Sequence, residues 1–142
     1  RALIRAAQLQ ATHNNGTQMA IRVHSCIVGI VGHRQIDWRI RRTSLGYWLA
    51  REFQGSGVVT MACNTLVTHA FNDTRLNRVE IRCAVENYKS RAIPQRLGFR
   101  QDGVVRDAEW LYDHFVDHIV YRILAHEWTV GTTKSFLVHS GE

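Results

Sequence analysis

The sequence predicts an α/β domain built on a mixed (α+β) sheet, and three observations carry that prediction. The run Cys26 to Gly32 is β-branched and almost wholly apolar, the composition of a buried strand. Between Val59 and Phe71, apolar residues recur at three- and four-residue steps, as on one buried helical face. From Asn77 to Val85 the period changes to alternation, with Val79, Ile81, Cys83 and Val85 set among Arg78, Glu80 and Arg82. Helical and strand periods thus alternate along 142 residues, a length that suits one domain.

Taken in order, Arg1 to Thr12 reads as a helix. Leu3, Ala6, Ala7 and Ala11 give it a loose apolar stripe, and His13-Asn14-Asn15-Gly16 is its stop. Met19 to His24 and Cys26 to Gly32 read as strands joined tightly at Ser25. Thr43 to Ala50 is a third strand, followed by the loop Arg51 to Gly57 and a long helix from Val58. On that helix Thr60, Asn64, Thr65 and Thr68 are assigned to the wet side. After the strand Asn77 to Val85, a short helix from Ser90 to Leu97 stops at Gly98, a residue suited to C′. Pro94 is expected in its first turn, where the backbone N–H has no intrahelical acceptor. Phe99 to Val105 and Phe115 to Leu124 read as closing antiparallel strands. The domain is expected over residues 1–128, with a polar, frayed tail at 129–142.

The chain has 18 basic and 12 acidic residues, net +6, which favours an anionic partner: nucleic acid, acidic protein or phosphorylated cofactor. Its densest cluster, Arg39, Arg41 and Arg42, is short, and aromatic residues are not interleaved with a basic stripe, which argues against nucleic acid. No apolar run approaches the roughly 20 residues of a membrane-spanning helix. No export signal is visible either. Cys26, Cys63 and Cys83 are odd in number and form no CxxC, which fits small buried hydrophobes in a reduced cytoplasm. His114 and His118 on one strand face would stand roughly 13 Å apart, too far to grip one ion, so no metal is expected. Trp38, Trp48, Trp110 and Trp128 are assigned to the core or a pocket wall.

The strongest chemical signal is a strand ending at Ala50, the loop Gln54-Gly55-Ser56-Gly57 and a helix starting at Val58. Glycines let successive N–H groups converge on one concavity, and a helix N-terminus adds free donors and the positive end of its dipole. Together these make a pyrophosphate cradle. A P-loop is excluded because no Lys-Ser/Thr follows the glycines, and the dinucleotide spacing lacks its third glycine.

Two longer runs, LGYWLAREFQGSGVVTMAC and LNRVEIRCAVENYKSRAIPQRLGFRQDGVVRDAEWLYDHFVDHIVY, closely resemble the GNAT acyl-CoA N-acyltransferases. Within them the chain resembles the RimJ/RimL branch, which includes ribosomal-protein N-terminal acetyltransferases; the likeness spans Gln18 to Trp128. It implies the GNAT fold, with two central parallel strands splayed between Ala50 and Val85 and a further strand and helix expected before Arg1. It implies acetyl-CoA as cosubstrate. The family's Gln/Arg-x-x-Gly-x-Gly/Ala loop is matched by Gln54, Gly55, Ser56, Gly57, Val58 and Val59, with Val59 departing from Gly or Ala. N–H groups from Ser56 to Thr60 would hold the pyrophosphate. The edge of Trp48, Leu49 and Ala50, together with Asn87, would hold the pantetheine arm.

Many members place a tyrosine where this chain has Pro94. The branch instead implies Ser90 as proton donor to the departing thiolate, while its plain structural role would be the helix N-cap. Glu109 would take the amine proton through water, or else be an ordinary surface carboxylate; Trp110 and Tyr112 would line the acceptor cleft. The implied function is an N-acetyltransferase acting on a protein N-terminal α-amino group, with an acidic ribosomal protein as partner. The alternatives are transfer to a small-molecule amine such as a polyamine or antibiotic, and a non-catalytic acyl-CoA or nucleic-acid-binding module. Many relatives pair through their terminal strands, which makes a homodimer one outcome and leaves oligomeric state open.

Overall fold

In the computed structural model, which describes residues 7–12, 16–55 and 57–128, short turns set most of the strand pairing. His24 and Ser25 both take positive φ (51° and 72°), as a two-residue type I′ hairpin requires. They join β2 (Gly16–Val23) to β3 (Cys26–Asp37), which pairs onward with β4 (Arg42–Leu49). The helix α1 (Val58–Asn72) then carries the chain over to β5 (Arg78–Ala84), which runs parallel to β4. Such a crossover is what a parallel neighbour requires. After α2 (Tyr88–Arg96), β6 (Arg100–Leu111) and β7 (His114–Leu124) close the sheet as an antiparallel pair. With β1 (Ala7–Thr12) at its edge, the seven-stranded sheet has the order β1-β2-β3-β4-β5-β7-β6.

The parallel ladder is short. It runs from Arg42↔Arg78 to Leu45↔Ile81 and ends there, although both strands continue. Each strand stays with its outer neighbour instead. β4 follows β3 to Gly29↔Leu49, and Ala50 N–H still donates to Val28 O at 2.7 Å. β5 follows β7 to Ala84↔His118, and Val85 N–H donates to Asp117 O at 3.0 Å. The sheet therefore forks at its centre, as expected from the resemblance.

Ala7–Thr12 is a strand, not the expected helix; the preceding residues 1–6 and the proposed stop at 13–15 lie outside the described residues, as does the tail 129–142. A lone helix of a dozen residues is marginal in water, whereas the edge of β2 offers a ladder from Ala7↔Ile21 to Thr12↔Gly16. The core lies between the sheet and α1. Cys63, Leu66, Val67 and Ala70 are fully buried against Val31, Val79 and Ile81. Thr60 and Asn64, assigned to water from their polarity, are buried too. Helix α1 is flanked by α2, and Trp128 donates from its Nε1 to Thr68 Oγ1 at 3.1 Å, so little of the helix is left for solvent. Cys26 is exposed beside the hairpin turn rather than buried, while Cys63 and Cys83 are core residues. Trp38, Trp48 and Trp110 are exposed, and only Trp128 packs against the core, edge-on to Phe71. No helix among the described residues is long and apolar enough to cross a membrane.

His33 of β3 is buried under α1, and desolvation pushes its pKa from 6.5 down to about 4, with His69 adding to the effect. The unfolded chain takes up this proton below 6.5, whereas the folded protein does so only near 4, so stability falls as pH drops through that window. Urea unfolding from about pH 7 to about pH 4.5 should show a slope approaching about 1.4 kcal/mol per pH unit from this group, and His33→Gln should flatten it. Ile81→Ala, at a fully buried position just before the fork, should cost about 2–5 kcal/mol by the same measurement.

Candidate functional site

The fork leaves backbone groups without ladder partners. Because Ala50 N–H points to β3 and successive residues alternate, the N–H and C=O of Tyr47 and Leu49 point into the gap. Leu49 O accepts from Gln54 Nε2 at 3.0 Å, which folds the start of the glycine loop back over the strand end. Tyr47 keeps both main-chain groups free of β5.

The loop then delivers the chain into α1. Gly57 is the N-cap, left-handed at φ 82°, and supplies no side-chain cap. No acidic residue occupies the first turn. The N–H groups of Val58, Val59 and Thr60 have no intrahelical acceptor and sit at the positive end of the helix dipole. Thr60 Oγ1 is buried and has no hydrogen-bond partner among the described atoms.

A cavity of about 590 Å³ fills the space between the fork, this turn and α2. Trp48 and Leu49 line it from β4, Gln54, Gly55 and Gly57 from the loop, and Val58, Val59 and Thr60 from α1. Asn87 and Ser90 line it from the start of α2, so ten of the residues singled out in the sequence share one wall. Ser56 lies outside the described residues. Ala50 is not on the wall, since its N–H is spent on β3. Trp110 and Tyr112 are not brought there either: Trp110 packs edge-on to Phe115 at 4.9 Å, and Tyr112 sits in the β6–β7 turn at φ 60°. Glu109 is on β6, where its Oε1 meets His118 Nε2 at 3.0 Å. His114, which was paired with His118 in the metal argument, bonds Asp113 instead.

The start of α2 differs from expectation in an informative way. Asn87, not Ser90, is the N-cap, and its Oδ1 accepts from Ser90 N–H at 3.1 Å. The helix therefore begins two residues early, and Pro94 falls in its second turn. A proline there has no N–H to offer the carbonyl four residues back, which is Ser90 O. Tyr47 fills the vacancy: its hydroxyl donates to Ser90 O at 3.1 Å. Freed from capping, Ser90 Oγ lies 3.3 Å from Tyr47 Oη and 3.6 Å from Cys83 Sγ. Burial, with Cys83 adding, pushes the Tyr47 phenol above its ordinary range, and burial likewise raises the Cys83 thiol. Both stay protonated near neutrality, so the floor of the cavity is an uncharged cluster of donors.

Sequence reasoning missed Tyr47. Strand alternation puts it on the same face as the buried Leu45 and Leu49, and the signal that marks it as a partner of α2 is the effect of Pro94 on Ser90 O. Lys89 and Arg96 also reach the wall and give it positive charge.

Free donors at a glycine-capped helix, a strand edge with unpaired amides and a cationic wall define a site for an anionic, amide-bearing ligand. Residues 1–100 match the acetyltransferase (GNAT) domain, and the chain belongs to that family. It is 39% identical over 114 residues to YdaF of Bacillus subtilis (strain 168), named a candidate ribosomal N-acetyltransferase, covering 80% of this chain and 62% of that one. It is 30% identical over 95 residues to the ribosomal-protein-serine acetyltransferase of Escherichia coli (strain K12), covering 67% and 53%. Among solved structures, Mycobacterium smegmatis RimJ in complex with CoA-disulfide superposes with a TM-score of 0.79 at 26% identity, over 89% of this chain and 61% of that one. The chain thus spans between half and two thirds of the length of these relatives.

The capping geometry carries a prediction of its own. Asn87→Ala should lower unfolding stability by about 1 kcal/mol, while Asn87→Asp should retain most of it, as read from denaturant midpoints.

Proposed function

We propose that this chain carries an acetyl-CoA-dependent N-acetyltransferase site acting on a primary amine, most directly a protein N-terminal α-amino group. The observation that carries the reading is the opening of uncapped N–H groups at Gly57–Thr60 onto the same cavity as the unpaired edge of β4. The buried, unpartnered Thr60 hydroxyl fits a polar ligand there, and the glycines leave room for its phosphates to approach the main chain. In this reading Gln54, Gly55, Ser56, Gly57, Val58, Val59 and Thr60 hold the pyrophosphate; Trp48, Leu49 and Asn87 flank the pantetheine arm.

Acetyl-CoA supplies an activated acyl thioester, and the protein must place it, support charge on its carbonyl oxygen and manage two protons. The Tyr47 N–H, aimed into the fork, is placed to donate to that oxygen. Glu109, held by His118, is the base that takes the ammonium proton through water. Ser90 Oγ is the donor toward the leaving sulfur. Tyr47 is a positioning residue: its hydroxyl fixes the Ser90 carbonyl and lies beside the Ser90 hydroxyl. An acidic ribosomal protein is the acceptor partner we favour, supported by the names of the two curated relatives. A small-molecule amine is the second reading.

Calorimetry with acetyl-CoA tests the cofactor, and thiol release in the presence of an N-terminal peptide tests the transfer. Ser90→Ala should lower kcat by about 10²-fold with acetyl-CoA affinity nearly unchanged. Tyr47→Phe should lower kcat less, and a wild-type protein that binds no acetyl-CoA would overturn the assignment.

A further inference from the structure

The face of the sheet away from α1 carries a second feature at the fork. Beyond Leu45↔Ile81, the next register positions are Gly46 and Arg82. Leu45 and Ile81 are buried in the core with α1, so by alternation Gly46 and Arg82 project onto the opposite face. Gly46 presents no side chain, and the guanidinium of Arg34, arriving from β3, occupies the space. A Cβ at Gly46 would fall 2.9 Å from Arg34 Nη2 and 3.0 Å from its Cζ. Arg34, lying over Gly46, and Arg82, one register step past Ile81, therefore stand on the same face where the strands part.

Both are exposed, and among the described residues neither belongs to an ion pair. Their neighbours on the same face are already matched. Arg78 bonds Glu80 and Asp102, each at 2.7 Å, and Arg122 bonds Glu127 at 3.0 Å. One alternation step along β5 from Arg82, Ala84 pairs with His118, the residue that holds Glu109. The two-residue step is about 7 Å, so the free arginines and the Glu109–His118 pair border one patch.

We propose that Arg34 and Arg82 form an anion-recognition site for the acceptor, selecting an amine with a carboxylate close by, as in an acidic peptide N-terminus. The proposal rests on the acyl-transfer reading above and names its substrate class. A guanidinium matches a carboxylate with two parallel hydrogen bonds, and two arginines on one face at the fork, both without an acidic partner among the described residues, offer that match to an incoming anion. A polyamine, cationic along its length, meets like charge there. The carboxylates of the same patch cannot receive it freely, because Arg78 engages Glu80 and His118 engages Glu109.

The test compares kcat/KM for two otherwise identical peptides beginning Ser-Asp and Ser-Asn, and for spermidine. The proteins are wild type, Arg34→Gln, Arg82→Gln, the double variant and Gly46→Ala, which displaces the Arg34 guanidinium without removing its charge. Wild type should favour the Ser-Asp peptide by about tenfold, the double variant by no more than about twofold, and Gly46→Ala by an intermediate amount. An unchanged ratio in the double variant, or a wild-type preference for Ser-Asn or spermidine, overturns the proposal. Acetyl-CoA binding is measured in parallel on every variant; its loss in wild type counts against the acyl-transfer reading and not against this one. Direct calorimetric titration of both peptides decides the question even without turnover, since equal affinities for wild type would overturn the arginine site.

Discussion

The constraint on which the site depends is the failure of β4 and β5 to stay together. A parallel pair at the centre of a sheet ordinarily satisfies its amides along its whole length. Here each strand is bound more extensively to its outer neighbour, β4 to β3 and β5 to β7, and the shared ladder ends at Leu45↔Ile81. The opened edge is tolerable only because something polar can fill it. Its surroundings are arranged to that end: Gln54 ties down Leu49 O, α1 begins without a cap, and α2 begins over the gap.

Charge is divided between the two faces of this opening. On the side of α1 the floor is neutral, with phenol, thiol and serine hydroxyl held in mutual contact and the phenol and thiol kept protonated by burial. The positive potential there comes from main-chain donors, the helix dipole, Lys89 and Arg96. On the other side it comes from the guanidinium groups of Arg34 and Arg82, with His118 two residues along the β5–β7 ladder from Arg82. The two faces thus differ in the source of their charge, main-chain donors as well as cations on one and side-chain cations on the other.

The central elements were legible because their periods are strong. The α1 stripe from Val59 to Phe71 and the β5 alternation leave few other solutions, and the glycine loop follows from Gly55 and Gly57. The fork itself came from family resemblance, since no local pattern records where a ladder stops. Errors gathered where tertiary contacts outweigh local preference. Ala7–Thr12 took a strand because an edge was available, and Thr60 and Asn64 were buried because α1 has neighbours on several sides. The register of α2 was misjudged by two residues because Asn87 outranked Ser90 as cap. Trp110 and Tyr112, expected on the acceptor side, stand at the end of β6 and in the β6–β7 turn and do not line the cavity.

The bond from the Tyr47 hydroxyl to Ser90 O joins a strand of one half of the sheet to the helix resting on the other half. It acts as a stay across the opening. It ties the two halves together at the point where the ladder no longer does. Pro94, by withholding one hydrogen, turns a defect inside a helix into the anchor point of that stay.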